Sequence, residues 1–109
     1  MKKLNEKEVL QRFAIGDSFV GLDLRGLNLH RAVMPGADFS NADLRGANLR
    51  GANLSNVNFS NANLSNMILS ESNLRSANMS GANISDSYLV ESRMYEVDLS
   101  GSDLTSTDM

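Results

Sequence analysis

One histidine, a scatter of serines and a long series of Asp and Asn residues are the side chains in this chain that could do chemistry. His30 has Arg31 beside it and Arg50 twenty residues on, but no second His or Cys of the kind a zinc site or a nucleophilic triad requires. It reads as a solvated residue. Ser40, Ser60, Ser80 and Ser100 recur at a fixed spacing with no base beside them, which makes them partners in a repeat rather than nucleophiles. The chain has no cysteine, so disulfides, thiolate metal sites and Cys nucleophiles are all excluded. The Asn-X-Ser sequons at Asn53, Asn58, Asn63, Asn78 and Asn83 follow from the same repetition and matter only in a secreted protein. The glycines lie five or ten residues apart and never form a GxGxxG phosphate loop. The expectation is a non-enzyme with no catalytic residue, cofactor or metal.

The 109 residues suit one domain, and a net charge of −3 with no run of basic residues argues against a nucleic acid partner. Lys2, Lys3, Glu6, Lys7 and Glu8 precede any apolar stretch, and later apolar runs are only a few residues long. Neither a signal peptide nor a membrane span fits that pattern, and the expected compartment is the cytoplasm.

What positions the polar residues is a period of five. Every fifth residue from Leu24 to Met109 is Leu, Ile, Met or Phe. Two residues before each stands a small residue, mostly Ala or Ser, and between the two columns stands Asp or Asn, as at Asp38, Asp43, Asn48, Asn53, Asn58 and Asn63. Five matches neither the helical period nor the strand period. Three extended residues put the small and large side chains on one face and Asp or Asn on the other, and the remaining two must turn a corner. Gly21, Gly26, Gly36, Gly46, Gly51, Gly81 and Gly101 share the turn column with Asn41, Asn56, Asn61 and Asn66, the residues that tolerate the positive φ of a type II turn.

Segments such as ADFSNADLRGANLRGANLSN resemble the pentapeptide-repeat family, written A(D/N)LXX, over residues 17–109. The resemblance implies an all-β fold, a right-handed quadrilateral β-solenoid with four pentads per coil and about four and a half coils, about 22 Å tall at the usual strand spacing. Phe19, Phe39 and Phe59 agree with a twenty-residue coil independently, since they would stack as a ladder. In such a coil Leu44 and Ile84 shield Leu64.

A solenoid needs a cap. Residues 1–16 are expected to supply it, with a helix over 5–15. Asn5 and Glu8 have capping-box spacing, Leu4 and Val9 have staple spacing, and Gly16 can end the helix in the left-handed region. Val9, Leu10, Phe13 and Ala14 form its apolar stripe.

Function is expected on the surface. Ile68 and Tyr88 interrupt the Asp/Asn column twenty residues apart, with Val90 and Tyr95 at corners, and this set is the candidate partner-binding surface. Residues 1–50 carry eight bases and six acids, whereas residues 51–109 carry two bases and seven acids, so the helical end is mildly basic and the far end acidic. A non-catalytic protein-interaction or scaffold module with an unidentified protein partner is the favoured reading. The alternative comes from the resemblance: some family members confer quinolone resistance by mimicking DNA in the binding groove of gyrase. Mimicry needs a continuous anionic strip, and Asn48, Asn53, Asn58, Asn63, Asn73, Asn78 and Asn83 are neutral.

Two further expectations concern the C-terminal half. Glu71, Ser76, Asp86, Glu91 and Glu96 replace Gly and Asn in the turn column, so type II turns are expected through 36–66 and irregular turns somewhere in 71–96. The last coil is expected to leave Leu89, Met94, Leu99 and Leu104 facing solvent, with Met109 unfinished beside them, and to form a homodimer end that tightens with salt.

Overall fold

The computed structural model describes residues 3–109. Met1 and Lys2 of the expected cap lie outside the described residues. Helix α1 spans Glu6–Ala14. Asn5 caps it by accepting the Glu8 N–H at 2.8 Å, while the Glu8 carboxylate accepts the Asn5 N–H at 3.1 Å, which closes the capping box. At the other end the Gly16 N–H donates to the Phe13 carbonyl and the Asp17 N–H to the Arg12 carbonyl, with Gly16 at φ 83°, the Schellman arrangement. The helix sits on the first coil through Val9, which is fully buried, with Leu4 and Phe13 packed beside it. The expected stripe is narrower than its sequence pattern, because Leu10 is 44% exposed and Ala14 is also exposed. Two polar ties fix the docking: Arg12 Nε donates to the Ser18 carbonyl at 2.9 Å, and the Glu6 carboxylate accepts the Asn28 N–H at 3.1 Å.

From Asp23 onward, outward residues pair in parallel with the residue twenty positions on, as in Asp23 with Asp43, Asn48 with Ile68, and Ile68 with Tyr88. With a pentad period, a twenty-residue repeat gives a four-sided coil. The backbone accounting of one pentad shows why five residues suffice. Asn58 N–H donates to the Ala37 carbonyl of the coil before, and Phe59 N–H to the Asn78 carbonyl of the coil after. Asn61 N–H donates to the Ser80 carbonyl, and Ala62 N–H closes the turn on the Phe59 carbonyl. The fifth amide, that of Ser60, donates to the Asn58 side-chain Oδ1 at 2.9 Å. Asp or Asn stands in the outward column because its side chain satisfies the amide two residues on, an Asx-turn built into every side of the coil.

The turn expectation for residues 71–96 is overturned. Glu71, Ser76, Asp86, Glu91 and Glu96 all lie at φ between 58° and 63°, like Asn41, Asn56, Asn61 and Asn66 before them. Arg31 and Ser106 do the same. The ladder accounts for this. Glu71 N–H reaches the Val90 carbonyl at 3.0 Å and Ser76 N–H reaches the Tyr95 carbonyl at 2.8 Å, bonds that an irregular turn forfeits. Local propensity, worth about 1–2 kcal/mol per residue in this region of φ, loses to the register.

Inside, the large and small columns form one core. Leu24, Leu44, Leu64 and Ile84 stack fully buried, as do Phe19, Phe39 and Phe59. Where the small column holds serine, the hydroxyl is satisfied locally: Ser72 Oγ donates to the Leu69 carbonyl at 2.6 Å, and Ser87 Oγ donates to that of Ile84. No helix is long and apolar enough to cross a membrane among the described residues.

Candidate interaction surface

Ile68 and Tyr88 occupy successive rungs of one face, whose outward column reads Asn28, Asn48, Ile68, Tyr88, Asp108. Tyr88 is 51% exposed and Ile68 is half-buried. Val90 lies at the corner that closes this face, since its carbonyl accepts the Glu71 N–H. Tyr95 does not join them. Its carbonyl accepts the Ser76 N–H, so it belongs to the next corner, across the face that carries Asn73 and Arg93. The expected four-residue site is therefore a cluster of three plus a separate, 68% exposed tyrosine.

Position 68 and position 88 share a further property. An isoleucine or tyrosine there cannot accept the amide of the corner residue, so Ser70 and Val90 lose the bond that Ser60, Ser80 and Ser85 receive from Asn58, Asn78 and Asn83. Val33 also interrupts the column, yet the corner residue it precedes is Pro35, which has no N–H to satisfy. The apolar residues of this face thus carry a local cost that Val33 avoids.

The corners on either side are charged. On one side Arg25 and Arg45 each grip the aspartate two residues back: Arg25 Nε and Nη2 lie 2.9 Å from the two oxygens of Asp23, and Arg45 Nη2 lies 2.7 Å from Asp43 Oδ2. The Arg25 guanidinium holds the Asp23 carboxyl down at about 2, with the Arg25 backbone N–H adding to the effect. Arg45 lowers Asp43 in the same way. On the other side Arg50 Nε donates to Glu71 Oε2 at 2.6 Å, tying one coil to the next. His30 is exposed at this corner, its Nδ1 3.0 Å from Asn28 Oδ1. His30, Arg31, Arg50, Gly51 and Glu71 line a groove of about 460 Å³, and Arg50, Ser70, Glu71, Val90 and Glu91 line a second of about 270 Å³ along the same corner. Among the described residues no group of three or more His, Asp or Glu side chains could hold a metal ion. The Asp-Leu-Arg spacing at 23–25 and 43–45 was a legible signal for the first two pairs; the Arg50 pair spans twenty-one residues and has none.

At the C-terminal end, Leu89 is 2% exposed and does not face solvent as expected. Its N–H donates to the Asp108 carbonyl, which brings the last residues over it. Met94, Leu99 and Leu104 are half-buried, and Met109 is 64% exposed.

A family profile described as pentapeptide repeats matches in eight copies over residues 18–51, 52–89 and 73–109. No curated protein matches the chain. Among solved structures, the chain is similar to HetL, a pentapeptide repeat protein involved in heterocyst differentiation regulation from the cyanobacterium Nostoc sp. strain PCC 7120, at 27% identity and a TM-score of 0.73 over 84% of this chain and 46% of that one. It is similar to a pentapeptide repeat protein of the Arabidopsis thaliana thylakoid lumen at 30% identity and a TM-score of 0.64, over 83% of this chain and 59% of that one. QnrB1, a plasmid-mediated fluoroquinolone resistance protein, shares the fold in a trypsin-treated variant, at 21% identity and a TM-score of 0.75 over 85% of this chain and 46% of that one. The chain spans about half the length of these structural relatives.

Proposed function

Because this chain belongs to the pentapeptide-repeat family, we propose that it acts as a non-catalytic protein-interaction or scaffold module. The observation that carries this reading is the Ile68, Tyr88 and Val90 cluster, apolar and partly exposed on a face whose lower rungs are asparagine. Two of the three residues stand where Asp or Asn would satisfy a backbone amide, so their presence supports a role that folding does not supply. Tyr95 extends the binding surface to the next corner. The proposed compartment is the cytoplasm.

Capture of proteins from the native host, with wild type and the Tyr88→Asn variant compared, tests the reading. Specific binders should be lost in the variant, and identical capture by both would remove this face from the function. Gyrase inhibition by DNA mimicry is the competing outcome. Against it stand the neutral Asn53, Asn58, Asn63, Asn73, Asn78 and Asn83 of the outward columns and the basic corners at Arg45, Arg50 and Arg75. Potent inhibition of supercoiling at stoichiometric protein would overturn the scaffold reading.

A homodimer through the C-terminal coil is the alternative assembly, and its salt response separates it from any other. Met94, Leu99 and Leu104 are half-buried there, and a second copy would cover them, with Glu96, Asp98 and Asp103 opposing the contact until salt screens them.

A further inference from the structure

We infer that the face carrying Ile68 and Tyr88 docks on the same face of a second copy, with the two solenoids antiparallel about a two-fold axis at Ile68. The inference rests on the reading of this face as an interaction surface and names its occupant.

Charge is divided along this face by rung. Below Ile68, toward α1, the face is bordered at one corner by Arg25 and Arg45, each paired with the aspartate two residues back, and at the other by His30, Arg31 and Arg50. Above it stand Asp86 at the first corner, Glu91 with Val90 at the second, and Asp108 on the face, with no base among them. Glu71 lies level with Ile68 and so faces the partner's Glu71 at the axis, each neutralised by its own Arg50. A two-fold axis lying in the interface, across the strands' stacking direction, reverses the rungs and keeps each corner against its own kind. Ile68 then meets the partner's Ile68. One rung away, about 4.8 Å along the stack, Arg50 meets the partner's Glu91, Arg45 meets the partner's Asp86, and Tyr88 lies on the partner's Asn48. Each contact occurs twice. The other two-fold arrangement, with parallel solenoids, sets Arg45 against the partner's Arg50 and Asp86 against the partner's Glu91, two kinds of like-charge contact where the antiparallel one has only Glu71 on Glu71. The inner rungs carry the argument, because at the outermost one the Glu6 carboxylate already sits on the Asn28 N–H.

The size of the face sets the strength. Cα extents of 31 × 23 × 20 Å hold any one side of the molecule below the share of about 800 Å² per partner that a standard stable interface buries. The dimer is weak and electrostatically guided, and it loosens as salt rises, the opposite response to that of the C-terminal coil contact.

Sedimentation velocity on the full chain tests this. Wild type should associate at about 50 mM salt and dissociate at least about tenfold more readily at about 500 mM. Arg50→Glu and Glu91→Arg should each be monomeric alone, because each places like charges at both copies of the contact. Mixed in equal amounts they should form a one-to-one dimer, since the two changes then face each other at one contact and the native pair meets at the other. Tyr88→Asn should lower association without lowering the unfolding midpoint, which separates a lost contact from a lost fold. A mixture that stays monomeric, a wild type that is monomeric at every concentration, or association that tightens with salt and ignores Arg50→Glu would each overturn the inference. If the dimer forms by mixing while host proteins are captured equally by wild type and Tyr88→Asn, self-association stands and the wider partner reading fails.

Discussion

The ring of Phe39 lies 4.8 Å from that of Phe19 and is tilted from it by only 15°. Phe59 stacks on its other side at 5.3 Å and 25°, and all three rings are fully buried. Phe39 therefore has two aromatic neighbours where Phe59 has one, the next residue in that column being Met79. Stacked pairs add about 0.5–1.5 kcal/mol beyond buried area, so Phe39→Leu should cost more than Phe59→Leu by about that amount. Urea unfolding of the two variants measures the difference, and equal costs would mean that volume alone matters.

Depth along the stack sets the cost of losing a leucine. Leu64 is fully buried between Leu44 and Ile84, whereas Leu104, in the same column, is half-buried. Leu64→Ala should cost about 2–5 kcal/mol and Leu104→Ala clearly less. An unchanged midpoint for Leu64→Ala would contradict the twenty-residue coil.

The Asx bond makes a prediction of opposite sign at two rungs of different faces. Asn78 Oδ1 accepts both the Ser80 N–H at 3.0 Å and the Ser80 hydroxyl at 2.7 Å. Asn78→Ala should cost about 0.5–1.5 kcal/mol. Tyr88→Asn builds the missing bond to the Val90 amide and should stabilise the chain by a similar amount, about 0.5–1.5 kcal/mol, while weakening association. Stability lost in both variants would show that Tyr88 supports the fold rather than a contact.

The architecture was legible because each of its requirements occupies its own column. Apolar residues at every fifth position, small residues two before them and Phe19, Phe39 and Phe59 twenty apart leave no room for helix or disorder. The adjacency of Ile68 and Tyr88 followed from the same arithmetic, and the capping box at Asn5 and Glu8 from its own three-residue spacing. At the later turns a local preference points one way and the ladder decides the other. Glu91 and Glu96 adopt positive φ because neighbouring coils propagate one turn geometry along a corner. Tyr95 stands one corner beyond Val90, a separation that the spacing of single pentads also contains, since successive corners of a square coil face different directions. The role of Asp and Asn was invisible as a pattern, since a polar residue facing water explains itself until the amide two residues on is counted.

Acid unfolding should report these aspartates. Asp23 is held down at about 2 by Arg25, against an ordinary 3.8, and Asp98 and Asp103 are lowered chiefly by the hydroxyls of Ser100 and Thr105, each 2.6 Å from the carboxylate. A folded-state value below the unfolded one contributes stability that is present above the ordinary aspartate range and lost as pH falls through the depressed value. The unfolding midpoint should therefore be insensitive to these groups above about pH 5 and fall between about pH 4 and about pH 2. Asp98→Asn with Asp103→Asn isolates the titration from the hydrogen bonds, because Asn78 and Asn83 already hold Ser80 and Ser85 in the same geometry one coil earlier. The double variant should keep most of its stability at pH 7 and show a shallower acid limb. An acid limb as steep as that of wild type would assign the loss to Asp23 and Asp43, whose ion pairs with arginine no asparagine can reproduce, and Asp23→Asn with Asp43→Asn should then flatten it.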